Sequence, residues 1–301
     1  MKHLNRSSHG CLCCGNPRLQ RETTVVSSFL AKRAWNGKPE LTFIMLCERC
    51  GFRFYDRGLS EAEGSNYYQG YRDQAYFHDR NRHEPFYTKS KYQSDSAWMA
   101  SKGRRVALAH VLNQAGAPKS FQAALDYGGG TGQMLLDVDA RRRAVFDVSG
   151  GQTESGVSWI SSQDKLGSNW DLVLSCQVLE HLSDPLSSVE FIASLLSPGG
   201  WFYAEVPIEN WAPSARSGPA RHAWLSWIIN KPGLLVAADT ISTAFRVKCG
   251  FLPPMAFIPM REHLNYFTTE ALCALVQSAG LTVKWSGKNT GNEFCVVATR
   301  P

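Results

Sequence analysis

From about residue 119 to the carboxyl end, short apolar runs take turns with stretches whose apolar residues recur every three or four positions. The runs fall at 122–127, 143–148, 157–161, 171–177, 201–206, 281–286 and 293–299 and read as strands. Helical spacing is expected over 133–140, after Asp184-Pro185 through Leu186, Val189, Ala193 and Leu196, and after Thr268 through Leu272, Leu275, Val276 and Ala279. Asp184 suits an N-cap with proline at the first helical position, and Gly280 suits the end of the last helix. The pattern predicts an α/β fold with a doubly wound, mostly parallel seven-stranded sheet. Only a turn with Gly287, Asn289 and Gly291 parts the last two runs, so they should form a hairpin and add one antiparallel strand. About nine residues, Ser149–Val157, join the second run to the third, too few for a crossover helix. We expect another part of the chain, such as the amino-terminal module, to cover that face.

Upstream the pattern changes. Thr23–Leu30 and Leu41–Leu46 read as short strands, Leu59–Gly70 as a short helix and turn, and 94–115 as a helix with Trp98, Val106, Ala109 and Leu112 inward. Residues 66–92 are dense in aromatics, among them Tyr67, Tyr68, Tyr71 and Tyr76, interleaved with Arg72, Arg80 and Arg82. They could form a packed linker, or a wall on which sugar or base faces stack and arginines bind phosphate. A long insertion at 207–261 carries Trp211, Trp224 and Trp227, and its amphipathic 223–247 would suit a helical lid. The resulting organisation is 1–58, 59–118 and 119–301, with the insertion as acceptor lid.

The densest chemical signal is Leu125-Asp126-Tyr127-Gly128-Gly129-Gly130-Thr131-Gly132, a strand that breaks into four glycines. Bare backbone there lets a ligand approach closely, and a following helix would aim free N–H groups at it. The spacing is G-x-G-x-G, with Gln133 where the dinucleotide fingerprint needs glycine, and no Gly-Lys-Ser/Thr follows as a P-loop needs. A second signal is Cys11-x-x-Cys14-Gly15 paired with Cys47-x-x-Cys50-Gly51 across a short β segment. Two thiolates grip a metal at each unit and glycine permits the turn behind them, so a zinc ribbon is expected with Cys13 spare. A closed four-thiolate site offers folding energy and no open position for chemistry. Cys176, Cys249, Cys273 and Cys295 read as buried hydrophobes.

With 44% hydrophobic and 19% charged residues, the 301-residue chain can bury a core. The net charge of +6 comes from residues 1–60, which hold ten Lys/Arg against four Asp/Glu and could meet an anionic partner. No apolar run approaches the roughly 20 residues that span a bilayer, and the amino terminus lacks a signal peptide's apolar core. A cytoplasmic protein is expected.

The chain resembles the class I S-adenosylmethionine-dependent methyltransferases over roughly residues 120–300. The resemblance rests on the glycines and on Arg143-Ala144-Val145-Phe146-Asp147, whose acid stands where the family's ribose-binding carboxylate sits. It continues through Trp170–Leu182 with its Leu179-Glu180-His181, through Ser197-Pro198-Gly199-Gly200 and the strand after it, and through Glu262-His263-Leu264-Asn265-Tyr266-Phe267. That last segment is similar to one in methyltransferases acting on sugars. The resemblance implies a Rossmann-like fold and S-adenosylmethionine as cofactor, held by Asp126, Tyr127, Gly128, Gly130, Gly132, Asp147 and Gln177. It also implies acceptor chemistry at His181, Glu262 and His263, with Tyr266 close by, and structural zinc on Cys11, Cys14, Cys47 and Cys50.

The acceptor implied is a sugar, nucleotide-linked or part of a glycan, methylated on oxygen or carbon. An RNA base methyltransferase with a zinc module is the alternative that the basic first 60 residues favour. Against it, Cys176-Gln177-Val178-Leu179 replaces the Asn/Asp-Pro-Pro-Tyr/Phe motif, so nucleic acid is not the expected partner. A non-catalytic zinc-ribbon binding protein is a third reading. A membrane-interfacial helix in the insertion is disfavoured by the want of a dense polybasic face.

Overall fold

The computed structural model describes residues 6–8, 10–71, 73–99, 101–150, 152–209, 218–291 and 293–301. Arg72 of the aromatic segment and Trp211 of the insertion lie outside them. The first part holds β1 (Leu19–Val25), α1 (Ser28–Trp35), β2 (Leu41–Cys47) and β3 (Arg53–Tyr55), then α2 (Glu61–Tyr68), α3 (Gln74–His83), α4 (Lys89–Met99) and α5 (Lys102–Gln114). The α/β part follows with β4 (Phe121–Tyr127), β5 (Ala140–Phe146), β6 (Ser158–Ile160), β7 (Trp170–Cys176), α6 (Pro185–Leu195) and β8 (Leu196–Pro207). Next are α7 (Pro219–Ile228), α8 (Pro232–Cys249), β9 (Asn265–Tyr266), α9 (Thr269–Ser278), β10 (Thr282–Lys288) and β11 (Glu293–Thr299).

All seven apolar runs are strands of one sheet, in the order β10-β11-β8-β7-β4-β5-β6. Strands β8, β7, β4, β5 and β6 pair in parallel, while β11 pairs antiparallel with both β8 and β10. Helices cover both faces, which is why β4 and β7 read as nearly unbroken apolar runs. On one face α5 sets Leu108 and Val111 against Ala124, Val145 and Leu172. On the other, Val189 and Ile192 of α6 and Leu272 and Leu275 of α9 meet Leu125, Val173 and Phe202. Asp184 caps α6 by accepting from Ser187 N at 3.0 Å, Thr268 caps α9 by accepting from Ala271 N at 3.0 Å, and Gly280 has φ +81°.

Five expectations need correction. Cys249 is exposed and not a buried hydrophobe, because it is the last residue of α8, and Cys273 is only half-buried. The helix at 133–140 is a single 3₁₀ turn, Gln133–Leu135, because β5 starts at Ala140 and the glycine turn leaves too little chain for a crossover helix. The amino-terminal module does not cover that face. Its Cys11, Met45, Phe52 and Phe54 join the α6–α9 side, whereas the β4–β5 connection packs Met134 and Leu135 on the α5 side. The strand drawn over Thr23–Leu30 ends at Val25, since Ser27 accepts from Leu30 N at 3.1 Å and caps α1, which buries Phe29, Leu30, Ala31 and Ala34. Finally, 94–115 is broken between α4 and α5. The inward face of α5 is Arg104, Ala107, Leu108, Val111 and Leu112, and Val106 is 57% exposed.

A second sheet, β1-β2-β3-β9, is antiparallel at each pairing and takes β9 from the far side of the insertion, so β3–β9 pairing bridges the module to the α/β part. Arg6 fastens the junction. Its buried guanidinium donates to Ser183 O at 2.7 Å, Tyr55 O at 2.9 Å and Asn265 Oδ1 at 2.5 Å. Among the described residues, the insertion holds two helices, α7 and α8, parted at Pro232. Leu225, Ile228 and Leu235 pack on Val25 and Phe257, beside the second sheet.

Candidate active site

The glycine turn leaves β4 where the chain's path reverses: β4 leads to β5 on one side and β7 leads to β8 on the other. Ligands of doubly wound sheets bind in the crevice outside such a reversal. Gly128, Gly130 and Gly132 all have positive φ (+78°, +57°, +79°). A Cβ at Gly128 would meet Val178 Cγ2 at 2.5 Å and one at Gly132 would meet Val157 Cγ1 at 2.7 Å, whereas Gly130 opens on empty space. Gly130 N donates to Asp147 Oδ2 at 2.8 Å, and Ser149 N and Oγ donate to Oδ1 at 2.8 and 2.6 Å. The carboxylate at the end of β5 is thus aimed at the turn and half-exposed beside it.

Asp126 lies beneath the turn, fully buried, with neither carboxylate oxygen hydrogen-bonded among the described residues. Burial lifts it to about 7 despite the pull of Arg104. An orphaned buried carboxyl next to a Cβ-free backbone cradle suits a ligand that brings a cation and hydrogen-bond donors. Tyr127, the next residue, faces the opposite way. Its ring packs 5.3 Å from Phe146 and its hydroxyl meets Gln163, so its side chain is turned away from the cleft.

Gln177 follows β7 with φ +62°, a strained conformation for a residue with a Cβ. It is held by its N–H to Glu205 O at 2.8 Å and its Nε2 to Glu205 Oε1 at 3.2 Å. Glu205, wholly buried, also accepts from Arg104 Nη2 at 2.7 Å, Tyr203 Oη at 2.9 Å and Asn289 Nδ2 at 3.2 Å. Sequence reasoning missed this floor. A lone arginine on the apolar stripe of α5 was its one visible sign.

Beyond β7, the segments 179–182 and 261–266 meet. His181 Nδ1 lies 3.0 Å from Glu262 O, and its ring packs edge-on against His263 with centroids 4.8 Å apart. A carbonyl only accepts, so Nδ1 carries the proton and Nε2 is the basic nitrogen, 3.8 Å from Glu180 Oε1. Glu180 is buried with both oxygens lacking a hydrogen bond among the described residues, and burial lifts it to about 7. Tyr68 packs edge-on to His181 at 6.2 Å.

The Glu262 side chain turns away from this mouth. Tyr67 Oη at 2.6 Å, Tyr76 Oη at 3.2 Å and Arg80 Nη1 at 3.2 Å all donate to it. Burial opposes its charge, but Arg80, with His263 and His181, holds it far below the carboxylate range, so it is an anchor and a poor base. Arg80 and Arg261 share Glu84, and Arg261 reaches Asp239 of α8. Tyr67 and Tyr76 are therefore core residues with no face to stack on a substrate. His263 Nδ1 is 2.5 Å from Glu209 Oε1; burial works against its charge, yet Glu209 raises it to about 9. Both side chains are 26% exposed, so solvent screens part of that coupling. Tyr266 Oη lies 3.3 Å from Tyr55 Oη in the second sheet's core, and burial pushes it up to about 12.

At the far end of the second sheet, Cys11, Cys14, Cys47 and Cys50 bring all four sulfurs within 4.8 Å of one another. The Cys11–Cys50 and Cys14–Cys47 pairs are 3.6 Å apart, near the roughly 3.8 Å that tetrahedral Zn–S bonds of about 2.3 Å impose. Gly15 and Gly51 sit at φ +69° and +71°, and their N–H groups donate to Cys11 O and Cys47 O at 2.8 and 3.0 Å. Cys13 is buried outside this group, its carbonyl taking a bond from Ser278.

Residues 99–284, well over half of the chain, match the family described as a methyltransferase domain. The chain belongs to that family. It is a class I S-adenosylmethionine-dependent methyltransferase. No curated protein sequence is significantly similar to it. Solved structures similar to this methyltransferase include the 1,6-didemethyltoxoflavin-N1-methyltransferase of Burkholderia thailandensis, at 15% identity and TM-score 0.44 over 72% of this chain and 86% of that one. Another is a possible histamine N-methyltransferase of Thermotoga maritima, at 12% identity and TM-score 0.43 over 69% of this chain and 95% of that one. Among the described residues, no helix of the methyltransferase is long and apolar enough to cross a membrane.

Proposed function

We propose that this methyltransferase acts on a sugar, nucleotide-linked or part of a glycan, with His181 as general base. When bound, S-adenosylmethionine supplies a sulfonium methyl group for in-line displacement. Asp147 would accept both ribose hydroxyls, Asp126 would face the amino-acid ammonium directly or through water, and the bare main chain at Gly128–Gly132 would admit the ligand. Much of the enzyme's contribution is then alignment.

The observation that carries the acceptor reading is the tautomer fixed on His181 by the Glu262 carbonyl. It leaves Nε2 to take a proton from a hydroxyl, or from carbon next to a keto group, beside the cleft. His263, cationic at neutral pH and tied to Glu209, suits an anionic or hydroxyl-rich acceptor better than it suits a base's role. Tyr68 is the aromatic edge available to a sugar ring, and the 207–261 insertion supplies Glu209 to the acceptor side. We assign Cys11, Cys14, Cys47 and Cys50 to structural zinc, remote from this chemistry.

The test is turnover on a panel of nucleotide-sugars, with product mass located to the sugar ring. We expect His181→Gln to lower kcat by about 10²–10⁴ while leaving S-adenosylhomocysteine affinity intact. Methylation of RNA with none of any sugar would overturn the reading, as would an unchanged kcat.

A further inference from the structure

Helix α8 carries its polarity the wrong way round for a helix packed on a core. Its buried residues are Leu235, Asp239, Ser242 and Thr243. Asp239 accepts from Arg261 at 2.5 Å and from Thr243 Oγ1 at 3.1 Å, and Ser242 Oγ accepts from Phe257 N at 3.4 Å. Its outward stripe is Leu234, Ala237, Ile241 and Phe245, with Leu234 49%, Ile241 55% and Phe245 38% exposed. The stripe keeps the 3–4 spacing of a single helix face.

Neighbouring elements extend it. Trp227 at the end of α7 is 49% exposed, and Phe251, 47% exposed, packs 5.6 Å from Phe245. Seven of the ten large exposed hydrophobic residues among those described fall between Trp227 and Met255. Such a concentration departs from the scattered apolar exposure of an ordinary surface.

The exposed charges that the hairpin itself carries are of one sign. Residues 218–255 contain a single acid, Asp239, and it is buried on Arg261. Lys231 and Lys248 stand exposed at the two ends of the stripe, and Lys231 Nζ lies 4.1 Å over the Trp227 ring. A two-fold pairing of this face with a second copy would set lysines against lysines. A dense polybasic face, whose want disfavours an interfacial helix on sequence alone, is still lacking, but the folded hairpin adds what the sequence does not show: an outward apolar stripe with tryptophan and lysine at its rim, which matches the acyl boundary and the anionic headgroups of a bilayer.

We propose that the α7–α8 hairpin docks this methyltransferase onto an anionic membrane surface, with α8 lying along the plane and Leu234, Ile241 and Phe245 entering the acyl boundary. Over 18 residues α8 is about 27 Å long, enough to lie flat as one continuous contact. Asp239, Arg261, Glu84 and Arg80 then form an ionic chain from the inner side of the docking helix to Glu262 of the active site. The inference goes beyond methyl transfer, and its failure would leave that reading standing.

The test is vesicle co-flotation of the full chain, using phosphatidylcholine vesicles and phosphatidylcholine–phosphatidylglycerol vesicles at low and high salt. The wild type is expected to float with the mixed vesicles and to be released by salt. The exposed double variant I241E/F245E should lose at least about tenfold in partitioning, and Lys248→Gln roughly fivefold. Both should keep the wild-type melting temperature and S-adenosylhomocysteine affinity. Failure of the wild type to bind either vesicle would overturn the proposal, as would variants that float like wild type. A wild-type dimer in lipid-free solution that I241E/F245E converts to monomer would overturn it too, by assigning the face to a second copy.

Discussion

Replacing Arg104 with methionine probes the floor under the cleft. The Arg104–Glu205 pair has its charged atoms 2.7 Å apart with side chains 2% and 0% exposed, so it is screened by protein alone. Removing one partner of such a pair costs about 3–5 kcal/mol, because the other charge stays buried. Glu205 keeps three neutral donors, from Gln177, Tyr203 and Asn289, which places Arg104→Met near the lower figure. At roughly 2–4 °C per kcal/mol, the melting temperature should fall by about 6–10 °C near pH 8. The pH dependence has a definite sign. Asp126 titrates near 7 in the folded protein, above its unfolded value, and Arg104 is the main charge holding it down. A raised folded value means stability is lost as pH rises through it, and without Arg104 that loss deepens. At about pH 5 Asp126 is neutral in both proteins, so the gap between them should narrow. Thermal unfolding at the two pH values measures this, and Arg104→Met/Glu205→Gln should recover most of the loss. A shift below about 2 °C at pH 8, or a larger one at pH 5, would refute the reasoning.

S-adenosylhomocysteine should bind more tightly as pH rises from about 5.5 to 7 and level off above, since the ligand's ammonium favours ionised Asp126. Calorimetry in two buffers of different ionisation heat should detect proton release near pH 6.5, and a flat profile counts against that placement. Removing metal with a chelator, or Cys47→Ser, should lower the stability of the whole chain in one transition, because Phe52 and Phe54 share the core of α9 and β3 pairs with β9. Two separate transitions in differential scanning calorimetry would show that the ribbon is energetically independent.

The parallel sheet was legible because strands buried on both faces need an apolar centre, and Ala123–Leu125 of β4, Leu172–Leu174 of β7 and Trp201–Ala204 of β8 supply it. The glycine turn and Asp147 were legible because a backbone-lined pocket admits few residue types. Helix ends were legible where a cap is a side chain, as at Asp184 and Thr268. The rest depended on tertiary partners. Thr23–Leu30 holds a strand and a helix start in one apolar run, and the Ser27 cap that divides them looks like any serine in a loop. The 133–140 helix failed because spacing cannot reveal that β5 begins early. The ionic chain from Arg80 to Asp239 joins residues more than 150 positions apart, so no local pattern records it. Glu262 shows the same limit: its position suggests a base, but three donors from α2 and α3 make it an anchor.

The most direct measurement is the dissociation constant of S-adenosylhomocysteine for wild type and Asp147→Asn. The amide can keep its acceptor toward Gly130 N, but its NH2 then meets the Ser149 N–H that the carboxylate accepts, and the charge and an acceptor offered to the ribose are lost. Each charge-assisted hydrogen bond is worth about 1.5–3 kcal/mol, so calorimetry should show affinity weakened by roughly 10- to 100-fold, with a modest fall in the melting temperature of the free protein from the lost Ser149 bond. Equal affinity in the two proteins would contradict the assignment of this turn and its carboxylate to the nucleoside.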